Sequence, residues 1–207
     1  MSPEYSIIIP AYNEERYLPA TIMVLRRIVD EIREYSGEII VVDNNSTDRT
    51  SEIAARNGAT VVFEQRQQIA CARNAGARVS RGQYLIFLDA DTIISSTLLR
   101  KTLNGLKSGG LCGGGALIGF DTVAGMELRV AVWIWECLSR SMRWAAGSYL
   151  FCLRQAFIDV GGFDERYYAG EEILLSQKLN AWGKSRQLKM GIIDEKVITS
   201  ARKLQWF

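Results

Sequence analysis

Short apolar runs alternate with helical patterns through the N-terminal half of the chain, and this alternation constrains the fold more than any other feature. Three runs, Ile7–Ile9, Ile39–Val42 and Leu85–Leu88, are continuous, as in strands that are covered on both faces of a parallel sheet. With their flanking residues, the apolar runs predict four strands, at Tyr5–Pro10, Glu38–Asp43, Thr60–Glu64 and Gln83–Leu88.

Helices are predicted between these strands. The first has an apolar face at Leu18, Ile22, Leu25, Val29 and Ile32. Ser46, Thr47 or Asp48 can cap a second helix that ends near Gly58. A third has one face at Ile69, Ala72, Gly76 and Val79. The alternation implies right-handed crossovers, and so predicts an α/β fold with a Rossmann-like, doubly wound, mostly parallel sheet and helices on both faces.

Polar loops follow three of the four predicted strands, at 10–14, 43–48 and 89–91. Ligands of doubly wound sheets bind at this carboxyl edge. Asp89 and Asp91 leave a buried strand one residue apart, and paired hard oxygen ligands suit Mg²⁺ or Mn²⁺, although Asp91 can also simply cap the next turn. Asp43 can accept hydrogen bonds from a nucleobase or ribose, and Tyr12 offers a surface for a base or sugar.

Composition narrows the possible functions. The 207 residues predict one domain, and a formal charge of +2 gives no basic surface for nucleic acid. The chain has no histidine, which excludes imidazole-based nucleophile chemistry and leaves carboxylates to handle protons. The four cysteines form no C-x-x-C pair, which fits reduced thiols. No signal peptide is evident, and no apolar run reaches the ~18 residues that a membrane-spanning helix requires. We therefore expect a cytoplasmic protein.

The pattern changes after residue 108, where a glycine-rich stretch begins. We predict a further strand, a helical insertion at about 124–146, a strand at Ser148–Leu153 and a helix at Glu171–Trp182. Glycines 113–115 do not fit a dinucleotide-binding motif, and either a close approach of backbone to a sugar or a flexible loop would explain them. Glu171 and Glu172 open the last helix, where the helix dipole favours carboxylates irrespective of function.

Six motifs occur in a fixed order: IIIPAYNEE at 7–15, VVDNNSTD at 41–48, ARNAG at 72–76, FLDAD at 87–91, GGFDE at 161–165 and GEEILLS at 170–176. Together they resemble glycosyltransferase family 2 over nearly the whole chain. The resemblance implies a single GT-A domain at 1–207, an inverting mechanism, a divalent Mg²⁺ or Mn²⁺ ion and a nucleotide-diphosphate sugar, with UDP-sugars favoured. Residues 1–108 would bind the donor and metal, and residues 109–207 the acceptor.

The resemblance also assigns roles to individual residues. It implies contacts to the nucleoside from Pro10, Tyr12, Glu14, Asp43 and Arg73. Asp89 would contact the ribose or sugar and assist at the metal, and Asp91 would be the main metal ligand. Glu172 would be the catalytic base, with Glu171 as its rival, because the family usually has Asp at that position. Arg202 would close over the diphosphate, or it would belong to a solvated basic tail.

Two further questions stay open from the sequence. Arginines and tryptophans between Arg129 and Arg143 predict an amphipathic helix, which would either cover the acceptor cleft or rest on an anionic membrane near a lipid-linked acceptor. A saccharide acceptor fits the first alternative. The rival functions are a polyprenyl-phosphate or retaining GT-A sugar transferase, and a catalytically silent, membrane-docked protein that binds nucleotide sugars.

Overall fold

The computed structural model describes residues 2–121 and 126–200, in which strands and helices alternate. The first half contains β1 (Tyr5–Ala11), α1 (Leu18–Glu31), β2 (Gly37–Asp43), α2 (Thr50–Arg56), β3 (Thr60–Phe63), α3 (Ile69–Val79), β4 (Tyr84–Leu88), β5 (Thr92–Ile93) and α4 (Ser96–Lys107). The second half contains β6 (Leu111–Phe120), α5 (Met126–Met142), β7 (Tyr149–Leu153), α6 (Arg154–Asp159), α7 (Glu171–Lys184) and β8 (Lys189–Thr199).

All eight strands join one mainly parallel sheet in the order β3-β2-β1-β4-β7-β6-β8-β5. Strands β1 to β4 pair in parallel, as the continuous apolar runs predicted. Strand β7 enters antiparallel between β4 and β6, and β5 pairs antiparallel with β8 at the edge. The predicted α/β sheet with helices on both faces is confirmed.

The core consists of two apolar layers, one on each face of the sheet. Successive side chains of a strand point to opposite faces, so Ile7 and Ile9 pack in one layer and Ile8 in the other. Helices α1 and α4 contribute their leucines to the first layer, whereas α3, α6 and α7 cover the second. Because both faces are covered, the polar groups at the strand ends are the chemically informative ones.

Some local details differ from the predictions. Helix α2 begins at Thr50, and of the three candidate caps Asp48 accepts a 2.9 Å hydrogen bond from the Thr50 backbone N–H. The run of glycines 113–115 is not a flexible loop. It lies within β6, where a Cβ on Gly114 would come 1.8 Å from the Gly191 carbonyl oxygen, so these glycines allow β6 to pack against its neighbours.

The predicted insertion at 124–146 corresponds to α5, apart from residues 122–125, which lie outside the described part of the chain. Helix α4 and strand β8 had not been predicted. Within residues 2–121 and 126–200, no helix has both the length and the hydropathy needed to cross a bilayer.

Candidate active site

The predicted site residues follow the carboxyl ends of three adjacent parallel strands. Ala11 at the end of β1 is in register with Asp43 at the end of β2. On the other side of β1, Ile8 pairs with Phe87 of β4, which brings Asp89 to the same edge. The loops after β1, β2 and β4 therefore lie side by side, as the sequence predicted.

Hydrogen bonds hold the loops after β1 and β2 together. The Asn13 backbone N–H donates to Ser46 Oγ at 3.1 Å, and the Thr47 N–H donates back to Asn13 Oδ1 at 2.8 Å. The Glu14 N–H donates to Thr50 Oγ1 at 2.8 Å. Asn13 and Asn45 both have positive φ, which asparagine tolerates better than most residues. The polar residues that had been assigned to helix capping thus fix the shape of the site.

A first cavity of about 420 Å³ opens at these loops. Its lining comprises Pro10, Ala11, Tyr12, Glu14, Asn44, Gln67, Gln68, Ile69, Asp89 and Ala90. Asp43 lies directly below the loop, is buried, and accepts a 2.9 Å hydrogen bond from the Ser46 N–H. The cavity has the size of ordinary small-molecule sites.

Asp89 and Asp91 flank Ala90 at the end of β4 and are only 8% and 7% exposed. Their carboxylates are hard oxygen donors, and the described residues hold no group of three or more acidic, cysteine or histidine side chains that could enclose a metal ion. Such a donor pair fits Mg²⁺ or Mn²⁺, which commonly bind one or two carboxylates and take further ligands from phosphates and water. The pair does not fit a closed structural metal site.

Arg73 of α3 lies beneath the site and is 2% exposed. Its Nη2 donates to Asp89 Oδ1 at 3.1 Å and to the Gly147 carbonyl oxygen at 2.8 Å. Its Nη1 donates to Glu171 Oε1 at 2.8 Å. One guanidinium therefore links the end of β4, the segment before β7 and the start of α7.

A second cavity of about 310 Å³ lies on the other side of Asp89. Its lining comprises Asp89, Ile118, Phe120, Trp135, Ala146, Gly147, Ser148, Glu172, Thr199 and Ser200. Glu171 points inward to Arg73, whereas Glu172 lines this cavity. The geometry thus separates the two adjacent glutamates into a buried ion-pair partner and a group that faces the cavity.

The surroundings of Glu172 alter its acidity. Burial raises the pKa of Glu172 above the usual carboxyl range, and the neighbouring Glu171 carboxylate raises it further, while Arg73 acts in the opposite direction. Gly147 leaves little room beside this carboxylate. A Cβ at Gly147 would lie 3.2 Å from Arg73 Nη2 and 3.6 Å from Glu172 Oε1.

The GGFDE motif supports the site from behind. Asn74, one residue after Arg73, donates to the Phe163 carbonyl oxygen at 2.9 Å and accepts from the Phe163 N–H at 3.0 Å. Gly162 has a φ of +69°, and a Cβ there would come 2.8 Å from Asn74 Oδ1. This motif therefore anchors the loop before α7 to α3.

Five of the predicted site residues line the two cavities: Pro10, Tyr12, Glu14 and Asp89 the first, and Asp89 with Glu172 the second. Arg73 joins Asp89 to Glu171, and Asp43 ends β2 at the same edge of the sheet. Asp91 follows Asp89 and Ala90 in the chain but lines neither cavity. Arg202 lies outside the described residues. Sequence reasoning missed the lining residues Asn44, Gln67, Gln68, Ile69, Ile118, Phe120, Trp135, Ser148 and Ser200. Ile118 and Phe120 lie on β6 and Trp135 on α5, so their positions depend on how the second half of the chain packs. Only the place of Asn44, Gln67 and Gln68 after parallel strands could have indicated a site residue.

The doubly wound sheet with a cleft at its carboxyl edge defines a GT-A fold. Residues 6–155 match the model of glycosyl transferase family 2, so the chain belongs to that family. It is 30% identical over 192 residues to Rv0539, an uncharacterized glycosyltransferase of Mycobacterium tuberculosis, covering 86% of this chain and 80% of that protein. It is 35% identical over 109 residues to the low-salt glycan biosynthesis hexosyltransferase Agl6 of Haloferax volcanii. That match covers 53% of this chain and 26% of Agl6.

Solved structures share the fold at lower identity. The mannosyltransferase PcManGT of Pyrobaculum calidifontis, solved with GDP-Man and Mn²⁺, has a TM-score of 0.74 and 19% identity over 96% of this chain and 57% of that one. Glucosyl-3-phosphoglycerate synthase of Mycobacterium tuberculosis, solved with Mn²⁺, UDP and glucosyl-3-phosphoglycerate, has a TM-score of 0.64 and 21% identity, with 96% and 70% coverage. The chain thus spans little more than half of PcManGT and about a quarter of Agl6.

Proposed function

We propose that this protein is an inverting glycosyltransferase that moves a sugar from a nucleotide-diphosphate sugar to an acceptor hydroxyl. One observation carries the proposal: two cavities of ligand size meet at Asp89, with the polar loops of β1 and β2 around one and the Glu172 carboxylate in the other. The first cavity would take the nucleoside and diphosphate, and the second the sugar and acceptor. On this proposal residues 1–108 bind the donor and residues 109–207 supply the acceptor side.

Each carboxylate then has a distinct task. Asp91, assisted by Asp89, would hold a Mg²⁺ or Mn²⁺ ion, which when bound would offset the negative charge of the departing diphosphate. PcManGT and glucosyl-3-phosphoglycerate synthase were both solved with Mn²⁺, which supports a divalent ion here. Arg73 would act from below by fixing Asp89 and Glu171, rather than by touching the nucleoside as the family resemblance implied.

In the reaction Glu172 takes the proton of the acceptor hydroxyl as its oxygen attacks the anomeric carbon. The new bond forms from acceptor oxygen to that carbon, and the bond from the carbon to the diphosphate oxygen breaks. The nucleoside diphosphate leaves with the bonding electron pair. Because the base and the diphosphate would lie on opposite sides of the sugar, the configuration at the anomeric carbon inverts.

The donor is proposed to be a UDP-sugar. TarS of Staphylococcus aureus was solved with UDP-GlcNAc, and that structure covers 95% of this chain at a TM-score of 0.72, which supports a uridine nucleotide. PcManGT, in contrast, was solved with GDP-Man.

The four free cysteines of the chain fit a protein that works in the reducing cytosol.

A retaining or polyprenyl-phosphate transferase would use the same donor-side residues. The stereochemistry of the product would distinguish a retaining transferase, and the identity of the product would distinguish a polyprenyl-phosphate transferase.

A binding screen with nucleotide sugars tests the donor and the metal together. We expect one donor to bind by calorimetry with Mn²⁺ and to lose most of its affinity in EDTA or in Asp91→Asn. Glu172→Gln should bind the same donor with Mn²⁺ as the wild type does, yet lose at least about a hundredfold in nucleoside diphosphate release, whether water or an acceptor attacks the anomeric carbon. Wild-type turnover in Glu172→Gln would overturn the base assignment. Donor binding without any turnover by the wild type would instead favour a silent binding protein.

A further inference from the structure

Helix α5 has an apolar outer face that no described residue covers. Val130, Trp133, Ile134, Leu138 and Met142 are each between 45% and 65% exposed, and Cys137 is also exposed. These positions recur at intervals of three and four, so they form one stripe along the helix. A stripe of this length is unusual on a soluble surface and indicates an interaction site.

The opposite face of the same helix packs on the protein. Ser139 is 2% exposed and donates from Oγ to the Trp144 carbonyl oxygen at 2.7 Å. Trp135 lines the second cavity beside Glu172. Helix α5 therefore lines the candidate active site on its inner side and is apolar on its outer side. The two alternatives that the sequence left open for this helix, covering the acceptor cleft and resting on a membrane, are thus compatible.

Charge around the stripe favours an anionic partner. Arg140 lies two turns after Trp133 on α5, and Arg143 follows the helix end; both arginines are exposed. Among the α5 side chains that the structure describes, the only carboxylate, Glu136, is turned toward Lys196 at 3.7 Å on the inner side. Arg140 pairs with Asp194, but both side chains are at least half exposed, and such surface pairs exchange partners at little cost.

We propose that the outer face of α5 docks on an anionic lipid bilayer. A helix with an apolar stripe, a tryptophan within it and arginines at its edge matches the helices that lie in the plane of a membrane interface. Tryptophan suits this position because its ring is apolar and its N–H can reach polar headgroups. The arginines would then face lipid phosphates instead of Asp194.

Docking through α5 has a consequence for the acceptor, which rests on the proposed function. Because Trp135 of the same helix lines the cavity of Glu172, a bilayer at the outer face would bring headgroups near that cavity. The acceptor hydroxyl or phosphate would then belong to a lipid-linked molecule rather than to a free saccharide. The docking itself requires no turnover, so its test is independent of the catalytic proposal.

The first test is flotation with vesicles. We expect the protein to float with vesicles of phosphatidylglycerol and phosphatidylcholine at low salt, and to float much less with phosphatidylcholine alone. The double variant Trp133→Ser/Leu138→Ser should lose at least tenfold in its partition to the anionic vesicles. The matched control is Met23→Ser, which changes an equally exposed apolar residue on α1 and should leave the partition unchanged.

The ion pair between Arg140 and Asp194 gives a second test, in which two variants should change vesicle binding in opposite directions. Asp194→Asn should increase binding to anionic vesicles because it releases Arg140, whereas Arg140→Gln should decrease it. Circular dichroism would verify that each variant is folded. Equal binding of both variants, or wild-type binding by Trp133→Ser/Leu138→Ser, would overturn the proposal.

Cys137 supplies a probe at the centre of the stripe, since the other three cysteines are buried. We expect anionic vesicles to slow maleimide labelling of Cys137 several-fold at a fixed, low protein concentration. An unchanged rate would contradict docking through this face. Slower labelling at higher protein concentration without vesicles, with a dimer in light scattering, would identify the face as an interface between copies and would also overturn the proposal.

Discussion

Arg73 and Glu171 lie 98 positions apart in the chain and form a buried ion pair, with 2.8 Å between Nη1 and Oε1. Both side chains are at least 96% buried, and the same guanidinium also reaches Asp89. The pair therefore connects the donor-side strand β4 with α7, the helix that bears Glu172. Its integrity affects both the stability and the arrangement of the site.

The first prediction concerns the loss of the Arg73 guanidinium, which Asp89 and Glu171 share. Arg73→Met leaves the carboxylates of Asp89 and Glu171 buried without their common partner, and such a loss costs about 3–5 kcal/mol of unfolding free energy. For a protein of this size, a loss of that order lowers the melting temperature by about 10 °C, which calorimetry measures. The control is Arg49→Gln, which breaks the exposed pair with Glu15 and should cost less than about 1 kcal/mol. Equal melting temperatures for both variants would contradict the role of Arg73.

The next change concerns the acidity of the proposed base. Burial first, and then the carboxylate of Glu171, raise the pKa of Glu172. A base works in its ionised form, so the acidic limb of kcat/KM should lie above the usual carboxyl range. Glu171→Gln removes the neighbouring negative charge and leaves Arg73 to act on Glu172, and both effects lower the pKa of Glu172. We expect the acidic limb to move to lower pH.

A pH profile of nucleoside diphosphate release measures this shift. The control Glu52→Gln removes an exposed carboxylate on α2 and should leave the limb where it is in the wild type. A limb that moves to higher pH in Glu171→Gln would have the wrong sign for a base at Glu172. It would indicate instead that another group titrates.

Gly147 tests how closely the site is packed. Gly147→Ala places a Cβ 3.2 Å from Arg73 Nη2, so this guanidinium, which holds Asp89 and Glu171, must shift by a few tenths of an ångström. The same Cβ would make an ordinary contact with Glu172 at 3.6 Å. Misplacement of a catalytic group is costly, and we expect kcat to fall roughly tenfold or more. Donor affinity should change little because the first cavity is not lined by Gly147. Gly110→Ala is the matched control and should retain full activity, because its methyl group would make only an ordinary contact, with Ser108 Oγ at 3.8 Å.

The parallel half of the fold was predictable because each of its strands carries its own signal. Continuous apolar runs are required wherever both faces of a strand are covered, as at Ile7–Ile9. Strand β8 has no such signal, since only three of its eleven residues are buried and it contains Asp194, Glu195 and Lys196. It pairs with β6 across a distance of about 80 residues in sequence, and its place depends on that partner.

Within the site, the sequence indicated the groups at the strand ends but not what they contact. Asp89 and Tyr12 follow predicted strands and Asp43 ends one, so their common edge could be derived from topology alone. The burial of Arg73 could not, because its partners Glu171 and Gly147 come from the half of the chain whose path the local pattern leaves undefined. For the same reason, motif order could not distinguish Glu171 from Glu172.

Substitution of Tyr12 tests nucleotide binding in the first cavity without changing a residue that is assigned to catalysis. It lines the cavity mouth and is 48% exposed, so its ring is available to a nucleobase. Loss of an aromatic contact of this kind costs about 1 kcal/mol, and Tyr12→Ala should therefore weaken nucleotide binding roughly five- to tenfold in calorimetry. At saturating donor, kcat should stay near the wild-type value, because Tyr12 does not line the cavity of Glu172. Tyr168→Ala removes a more exposed tyrosine outside both cavities and should bind nucleotide normally. Equal affinities for the two variants would place the nucleobase elsewhere in the cleft.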